Sequence, residues 1–269
     1  MNIQCFQIDS SVSENPKNRL NRVLTSVERV ADFVDLVILP EHWISGAFIF
    51  QHEPSEMAEL YREFLVQAQL IANKKELVIH SGSGLLGNKK GQYHNSSFLL
   101  TPGEKPQTPY SKLHPFSKEF GGIVRGNNVL KRNILGSSVS PLICYDLRFP
   151  ESFRNHQNFG TEIFIVAAAW PISRIHTWTH LLKTRAIENQ AYVVGVNGVG
   201  MQDQEALGGD SAVFGPTGDM IASAGHSEEI LNVTLDLEIL KTHRSNYSYL
   251  LDAQLLSLQK FPDLESSLE

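Results

Sequence analysis

The chain has 269 residues, with 23 Lys and Arg against 29 Asp and Glu for a formal net charge of −6, and 42% of its residues are hydrophobic. This length and apolar fraction can bury a sizeable core, which excludes a disordered or collagen-like chain. The modest acidity and the lack of a run of Lys and Arg argue against nucleic acid or a membrane as the main partner. We therefore expect a small-molecule substrate.

Short apolar runs rich in β-branched residues alternate with helical patterns along most of the chain, which is typical of an α/β fold. Strands are predicted over 2–8, 35–40, 76–80, 96–100, 139–144, 162–169, 191–197, 211–214 and 230–237. Helical spacing predicts helices over 20–34, 57–71, 150–158 and 175–190. No linker rich in Pro, Gly or Ser divides the chain, so we expect one domain. The apolar tail after residue 240 is expected to pack, and residues 265–269 to fray.

Cysteine usage and the start of the chain favour a reducing compartment. Cys5 and Cys144 are far apart and form no C-x-x-C pair, so neither a disulfide framework nor a zinc ribbon is expected. Residues 2–8 read as a strand rather than as a signal peptide. The longest apolar stretch, residues 163–170, is too short to span a bilayer. We expect a cytoplasmic protein.

Two motifs match known binding sites without the context that those sites need. Residues 82–87 read G-x-G-x-x-G, but a strand-like run and not a helix follows them, which favours a glycine-rich turn over a dinucleotide site. His176 and His180 have the spacing of two metal ligands. Thr177 stands where a zincin carries Glu, and no third ligand is evident, so we interpret them as surface or core histidines.

Cys144 lies where a predicted strand runs into a sharp strand-to-helix turn, in the run ICYDLRFP at 143–150. A thiol there would project from the carboxyl end of the strand, and the Tyr145 N–H could bind the oxyanion that forms in acyl transfer. The alternative interpretation of Cys144 is a small buried hydrophobic residue.

Glu41 ends the apolar run 36–40, and Lys112 lies within YSKLHPF at 110–116. A carboxylate at the end of an apolar strand is partly desolvated, which makes it a competent proton acceptor from a thiol. A buried cation near a thiol would lower the pKa of that thiol and could hold an oxyanion. Taken singly, Glu41 could equally be a loop or helix-start residue and Lys112 a solvated lysine.

Together, Glu41, Lys112 and Cys144 resemble, in order and spacing, the Glu-Lys-Cys triad of the nitrilase superfamily of carbon–nitrogen hydrolases. The resemblance covers nearly the whole chain, including Trp170 after a strand and the run LKTRAIENQ at 182–190. Within the superfamily, CYDLRFP and RAIENQAY resemble the amidase branch that includes omega-amidases.

The resemblance implies a four-layer α-β-β-α sandwich in one hydrolase domain over residues 1–269, with a catalytic core to about residue 240. The tail, 241–269, is then a candidate for an oligomer interface in a homodimer. The implied reaction hydrolyses a primary amide of a small mono- or dicarboxylic acid through a cysteine thioester, with no metal or organic cofactor. Glu119 falls where the family often keeps a second glutamate, although it could be an ordinary loop carboxylate.

For the residues around the triad, the sequence leaves two interpretations open. Trp170, Tyr145 and Phe116 are candidate pocket walls, with aromatic core filler as the alternative. We interpret Asp146 and Arg148 as a structural ion pair or backbone anchor, because odd and even positions there are expected to point in different directions.

A carboxylate on the substrate would require a basic residue, and Arg125, Lys118 and Arg174 are the candidates. A nitrilase or an N-carbamoyl amide hydrolase would use the same triad. A papain-like enzyme with His114 as its base, a nicotinamide-binding enzyme and a non-catalytic binding protein are the remaining alternatives.

Overall fold

The computed structural model describes residues 1–46, 52–105, 108–116 and 122–257. The helices are α1 Pro16–Glu28, α2 Pro54–Lys75, α3 Pro150–Gln157, α4 Ile175–Asn189, α5 Leu237–Asn246 and α6 Tyr249–Ser257, with 3₁₀-helices at Cys144–Arg148 and Ile172–Arg174. The strands are β1 Asn2–Gln7, β2 Leu36–Ile38, β3 Val78–His80, β4 Gly84–Gly87, β5 Tyr93–Ser97, β6 Leu99–Leu100, β7 Tyr110–Ser111, β8 Arg132–Ile134, β9 Ser137–Ile143, β10 Ile163–Ala168, β11 Tyr192–Asn197, β12 Val199–Gln202, β13 Glu205–Gly208, β14 Ala212–Phe214, β15 Met220–Ser223 and β16 Glu229–Thr234.

Two large sheets carry the fold. One has the order β16-β1-β2-β3-β6 and the other β15-β14-β11-β10-β9-β8. Strands β1, β2 and β3 are parallel, as are β9, β10 and β11, and helices connect them in both halves. Smaller sheets are formed by β4-β5-β7 and by β12-β13. The elements predicted from the periodicity are therefore present in the predicted order.

The large sheets pack face to face, with the helices outside. Side chains buried between the sheets include Ile3, Cys5, Leu36, Ile38, Val139, Ile163, Ile165 and Val194. Residues of α1 and α2 cover the outer face of the first sheet, and residues of α3 and α4 cover the outer face of the second. Because successive side chains of a strand face opposite sides, each strand contributes to two apolar layers. The result is the expected α-β-β-α sandwich.

Local sequence explains how two of these helices begin and pack. Pro16 opens α1, and the Asn15 side chain accepts hydrogen bonds from the free backbone N–H groups of Lys17 and Asn18. Helix α4 lies so close to β11 that a Cβ on Gly195 would come within 2.4 Å of Leu182. Glycine at this strand position therefore allows the helix and the sheet to approach.

The carboxyl-terminal tail differs in part from the expectation. Leu240 is fully buried, but Tyr249 and Leu251 are 50% and 59% exposed on α6. These two side chains therefore do not pack against the rest of the described chain. Residues 265–269 lie outside the described residues. Within the described ranges, no helix combines the length and apolar composition needed to cross a membrane.

Buried His80 on β3 makes the stability of the fold sensitive to acid. It is 0% exposed, and burial lowers its pKa from 6.5 to about 3. The unfolded chain therefore binds one more proton than the folded chain between these values, so the free energy of unfolding falls as the pH drops below 6.5. We expect this histidine to contribute a slope of about 1.4 kcal/mol per pH unit in that window.

Urea unfolding of the His80→Asn variant between pH 6.5 and 5 tests this expectation. Asn keeps an acceptor for the Gly82 N–H, which bonds to His80 Nδ1 at 3.2 Å. The variant should be less stable at neutral pH but show a flatter pH dependence, whereas a variant of the exposed His176, His176→Asn, should keep the wild-type slope. If the free energy of unfolding depended equally on pH in wild type, His80→Asn and His176→Asn, His80 would not be the source of the acid sensitivity.

Candidate active site

Three chain segments from different sheets end at one place. Glu41 follows β2 of the five-stranded sheet, Lys112 follows β7 of the three-stranded sheet, and Cys144 follows β9 of the six-stranded sheet. The Glu41 N–H donates a 3.3 Å hydrogen bond to the Ala168 carbonyl at the end of β10, which joins the two large sheets here. Glu41 and Cys144 thus lie at the carboxyl ends of parallel strands, where α/β proteins place their sites, and Lys112 is brought to them from the antiparallel three-stranded sheet.

The Glu41 carboxylate is the most heavily bonded group of the site. Its Oε1 accepts hydrogen bonds from Lys112 Nζ and Asn95 Nδ2, both at 2.8 Å, and its Oε2 accepts one from the Ala169 N–H at 3.0 Å. Glu41 is 3% exposed and Lys112 is 1% exposed. Since a buried charge is tolerated only when it is paired and hydrogen-bonded, these donors fix the carboxylate in one orientation.

Cys144 is half-buried and is held in an unusual backbone conformation. Its φ of +42° lies in the left-handed region, and it opens the 3₁₀-helix Cys144–Arg148. Its side chain lines one pocket with Glu41, Lys112 and Ala169. A non-glycine residue in this region is strained and persists only where its surroundings impose it, which is common at functional sites.

The resting form of Cys144 is the neutral thiol. Burial, and then the charge of Glu41, raise the pKa of Cys144 well above its ordinary value. Lys112 and the Ala169 N–H act in the opposite direction but only partly offset this increase. Lys112 therefore acts in the predicted direction on the pKa of the thiol, but desolvation exceeds its effect. The thiol can lose its proton to Glu41 as it attacks, which is general-base activation.

Two donors are available for a developing oxyanion. Lys112 Nζ lines the same pocket as the thiol and brings a positive charge into a desolvated site. Tyr145 lies in the first turn of a helix, where backbone N–H groups have no acceptor within the helix. The arrangement thus combines a nucleophile, a base and oxyanion donors, which together are suited to acyl transfer.

The predicted aromatic residues line this pocket. Phe116 and Tyr145 have their ring centroids 5.1 Å apart, and Trp170 is 3% exposed. The Trp170 N–H donates to Asn197 Oδ1 at 2.6 Å, and Asn197 Nδ2 returns a bond of 3.1 Å to the Trp170 carbonyl. These two hydrogen bonds hold Trp170 at the end of β10, where its ring lines the pocket.

Two arginines reach the pocket, and only one of them was a candidate. The Arg148 guanidinium lies 4.9 Å from the centroid of the Trp170 ring, and that of Arg174 lies 5.4 Å from the centroid of Phe116. Trp170 also binds the Arg174 carbonyl through its indole N–H, at 2.9 Å. In the part of the chain that the structure describes, neither guanidinium forms an ion pair with a carboxylate. Such stacked guanidinium groups are suited to binding an anionic ligand.

Asp146 is a backbone anchor, as predicted, since it accepts the N–H groups of Ile143 and His114. The alternative prediction, an ion pair with Arg148, is not realised, because the Arg148 guanidinium lies over the Trp170 ring. Residues 144–148 form a 3₁₀-helix, in which side chains three apart share a face, so Arg148 lies on the same side as Tyr145.

Other predicted positions fall elsewhere. Glu119 and Lys118 lie outside the described residues. Arg125 is exposed and lines a separate groove. His176 and His180 are exposed on α4, as expected for surface histidines. In the described ranges no three His, Cys, Asp or Glu side chains are grouped so that they could hold a metal ion.

As predicted, no helix follows the glycine motif at residues 82–87. The predicted glycine-rich turn, however, is not formed by these residues. Gly84–Gly87 forms β4, which pairs antiparallel with β5 across the turn at 88–92. This hairpin has a functional consequence, because β5 supplies Asn95 to the site. Asn95 was not predicted, because only the pairing of β5 with β7 places it beside Lys112.

Comparison with known proteins identifies the family of this chain. A family model described as carbon-nitrogen hydrolase matches residues 3–244, and the chain belongs to that family. It is 30% identical to a 2-oxoglutaramate amidase of Paenarthrobacter nicotinovorans over 94% of this chain and 89% of that protein. It is 32% identical to an omega-amidase of Escherichia coli (strain K12) over 81% of this chain and 84% of that protein.

A solved structure has the same fold. The crystal structure of a CN-hydrolase superfamily protein of Xanthomonas campestris, with an arsenic adduct in its active site, superimposes with a TM-score of 0.86. The two sequences are 27% identical, and the match covers 97% of this chain and 98% of that one. This chain is therefore an enzyme of the carbon–nitrogen hydrolase class, with the nitrilase-superfamily fold.

Replacing Glu41 by Gln should separate the two roles of this carboxylate. The substitution removes a charge that raises the pKa of Cys144, so alkylation by iodoacetamide near pH ~8 should be at least as fast as in wild type. It also removes the base, so release of ammonia from an amide should fall by about 10²–10⁴-fold. Exposed Glu238 provides a control, since Glu238→Gln should change neither rate. Loss of alkylation together with hydrolysis would contradict this account.

Proposed function

We propose that the chain hydrolyses a primary amide of a small dicarboxylic acid to the acid and ammonia, through a thioester on Cys144. The placement of Arg148 in the same pocket as Glu41, Lys112 and Cys144 carries this proposal. The triad supports acyl transfer, and a guanidinium near it supports a substrate with a carboxylate at its other end. The names of relatives support the same class, because 2-oxoglutaramate is a monoamide of a dicarboxylic acid.

The first half-reaction forms the thioester. As Cys144 Sγ bonds to the amide carbonyl carbon, its proton moves to the Glu41 carboxylate, and Lys112 Nζ and the Tyr145 N–H bind the resulting oxyanion. Glu41 then gives the proton to the amide nitrogen. The carbon–nitrogen bond breaks, ammonia leaves, and the acyl group remains on sulfur.

The second half-reaction regenerates the enzyme. Glu41 accepts a proton from a water molecule as the water oxygen attacks the thioester carbonyl, and the same donors bind the second oxyanion. The carbon–sulfur bond breaks, the carboxylic acid leaves, and the proton on Glu41 returns to Cys144. We retain Glu119 as the proposed second glutamate that orients Lys112 and the substrate.

The contacts of His114 favour Glu41 as the base over a papain-like alternative. The His114 Nδ1 lies 2.8 Å from Asp146 Oδ1, and its ring stacks on Phe149 with centroids 3.8 Å apart. Glu41 lines one pocket with Cys144, whereas His114 is not among the residues that line it. A base must reach the proton that it accepts, so this geometry supports Glu41.

A pair of substrates tests the proposed class. Succinamate and butyramide have nearly the same shape but differ in a carboxylate against a methyl group. We expect a kcat/KM for succinamate at least about tenfold higher in wild type, because a charge-assisted bond is worth roughly 1.5–3 kcal/mol. Arg148→Gln should remove most of this preference and leave butyramide turnover within about twofold.

The exposed Arg29 provides the matched control, since Arg29→Gln makes the same chemical change outside the pocket and should keep the preference. Equal turnover of the two amides by wild type would contradict a dicarboxylic acid substrate. Hydrolysis of nitriles only, or release of carbon dioxide from N-carbamoyl compounds, would favour those members of the superfamily. Absence of turnover in every assay would favour a binding protein on the same fold.

We further propose that residues 1–269 form one hydrolase domain that assembles as a homodimer in the cytoplasm. The exposed side chains of Ile239, Tyr247, Tyr249 and Leu251 on the tail support an interface there, since clustered apolar groups are commonly covered by a partner. Sedimentation velocity should give the mass of a dimer, and Tyr249→Glu with Leu251→Glu should give a monomer. A wild-type monomer at micromolar concentration would contradict this assembly.

A further inference from the structure

The Asp146 carboxylate is a second, separate hub of buried hydrogen bonds next to the triad. Asp146 is 0% exposed, and its Oδ2 accepts hydrogen bonds from the Tyr110 hydroxyl at 2.7 Å and the Ile143 N–H at 3.1 Å. Its Oδ1 accepts the His114 N–H at 2.9 Å and lies 2.8 Å from His114 Nδ1. We call these four residues the Asp146 cluster. All four acceptor positions of this carboxylate are thereby used, so the group is held in place.

The Asp146 cluster joins the two chain segments that carry the cation and the nucleophile. Tyr110 and His114 stand two residues before and two residues after Lys112, and Ile143 is the residue before Cys144. One carboxylate therefore holds both sides of the lysine against the turn of the cysteine. The bonds also cross between two sheets, since Tyr110 belongs to the three-stranded sheet and Ile143 to the six-stranded one.

The Lys112 side chain is also held by its 2.8 Å bond to Glu41, and two further bonds restrain the lysine backbone. The Lys112 N–H bonds to the Asn95 carbonyl at 2.9 Å, and the Gly126 N–H bonds to the Lys112 carbonyl at 2.7 Å. These bonds fix the lysine backbone against its own hairpin and a neighbouring loop, but they do not involve the Cys144 turn. The strained φ of +42° at Cys144 also needs an external restraint, and the Ile143–Asp146 bond closes that turn.

We propose that Asp146 is a positioning residue, which sets Lys112 Nζ and Cys144 Sγ at their working separation through the Asp146 cluster. It takes no proton in the reaction. Loosening the cluster lets the lysine move away from the thiol, and the thiol then loses the one charge that favours its ionised form. For turnover, this inference rests on the proposed amidase function. Its effect on the thiol itself does not depend on any substrate.

The Tyr110→Phe variant tests the proposal without changing a charge. Tyr192 provides a matched control, because it is also a buried tyrosine and its hydroxyl donates to the Asp236 carbonyl at 2.5 Å, away from the triad. We expect Tyr110→Phe to slow alkylation of Cys144 by iodoacetamide about tenfold and to lower kcat for succinamate about tenfold, with KM within twofold. Tyr192→Phe should leave these values at wild-type level, even where its Tm falls equally.

Two results would overturn the proposal. One is a Tyr110→Phe protein with a lowered Tm but wild-type alkylation and kcat, which would leave Asp146 with a structural role alone. The other is a loss confined to KM, which would place the cluster in substrate binding. The Asp146→Asn variant should show larger losses of the same kind, because its amide turns a donor toward groups that already donate. Should wild type hydrolyse no monoamide, the proposed function fails while the alkylation comparison still decides the role of Asp146.

Discussion

The buried ion pair between Glu41 and Lys112 is the constraint on which the site depends. Both side chains are almost fully removed from water, and their Oε1 and Nζ atoms are 2.8 Å apart. Desolvating two charges is costly, and their attraction offsets that cost only if the geometry is good and the remaining acceptor positions are filled. Asn95 and the Ala169 N–H fill them. Because these donors come from different sheets, the pair requires the sheets to be correctly registered.

This constraint has a direct consequence for the chemistry. The carboxylate that is paired with Lys112 lines the same pocket as the thiol of Cys144, and its charge acts on the pKa of that thiol. Burial favours the neutral thiol at Cys144, and Cys5 is also buried, with its pKa raised to about 12. The site thus retains a buried charge pair and a residue in a strained backbone conformation, a combination that is common at functional sites.

Much of this arrangement could be predicted from the sequence, for a physical reason. Apolar runs that end at Glu41 and Cys144 mark the carboxyl ends of parallel strands, and such ends converge. Asn95 was missed because its role depends on pairing between distant strands, which periodicity does not reveal. Arg148 was not predicted to line the pocket, because it reaches the pocket only through the 3₁₀-helix after Cys144, whose period of three places it on the side of Tyr145. Some apolar residues of α6 were expected to pack, but they are exposed in the single chain. Composition alone does not show whether apolar residues belong to a core or to an interface with a partner.

A double-mutant cycle on Glu41 and Lys112 tests the central claim most directly. The free energy of unfolding would be measured by urea for wild type, Glu41→Gln, Lys112→Met and the double variant. Each single change should cost about 3–5 kcal/mol, because it leaves one charge buried without its partner. The double variant should lose much less than the sum, with a coupling energy of about 2 kcal/mol or more. Additive losses would contradict the account, because they would mean that the two charges do not depend on each other.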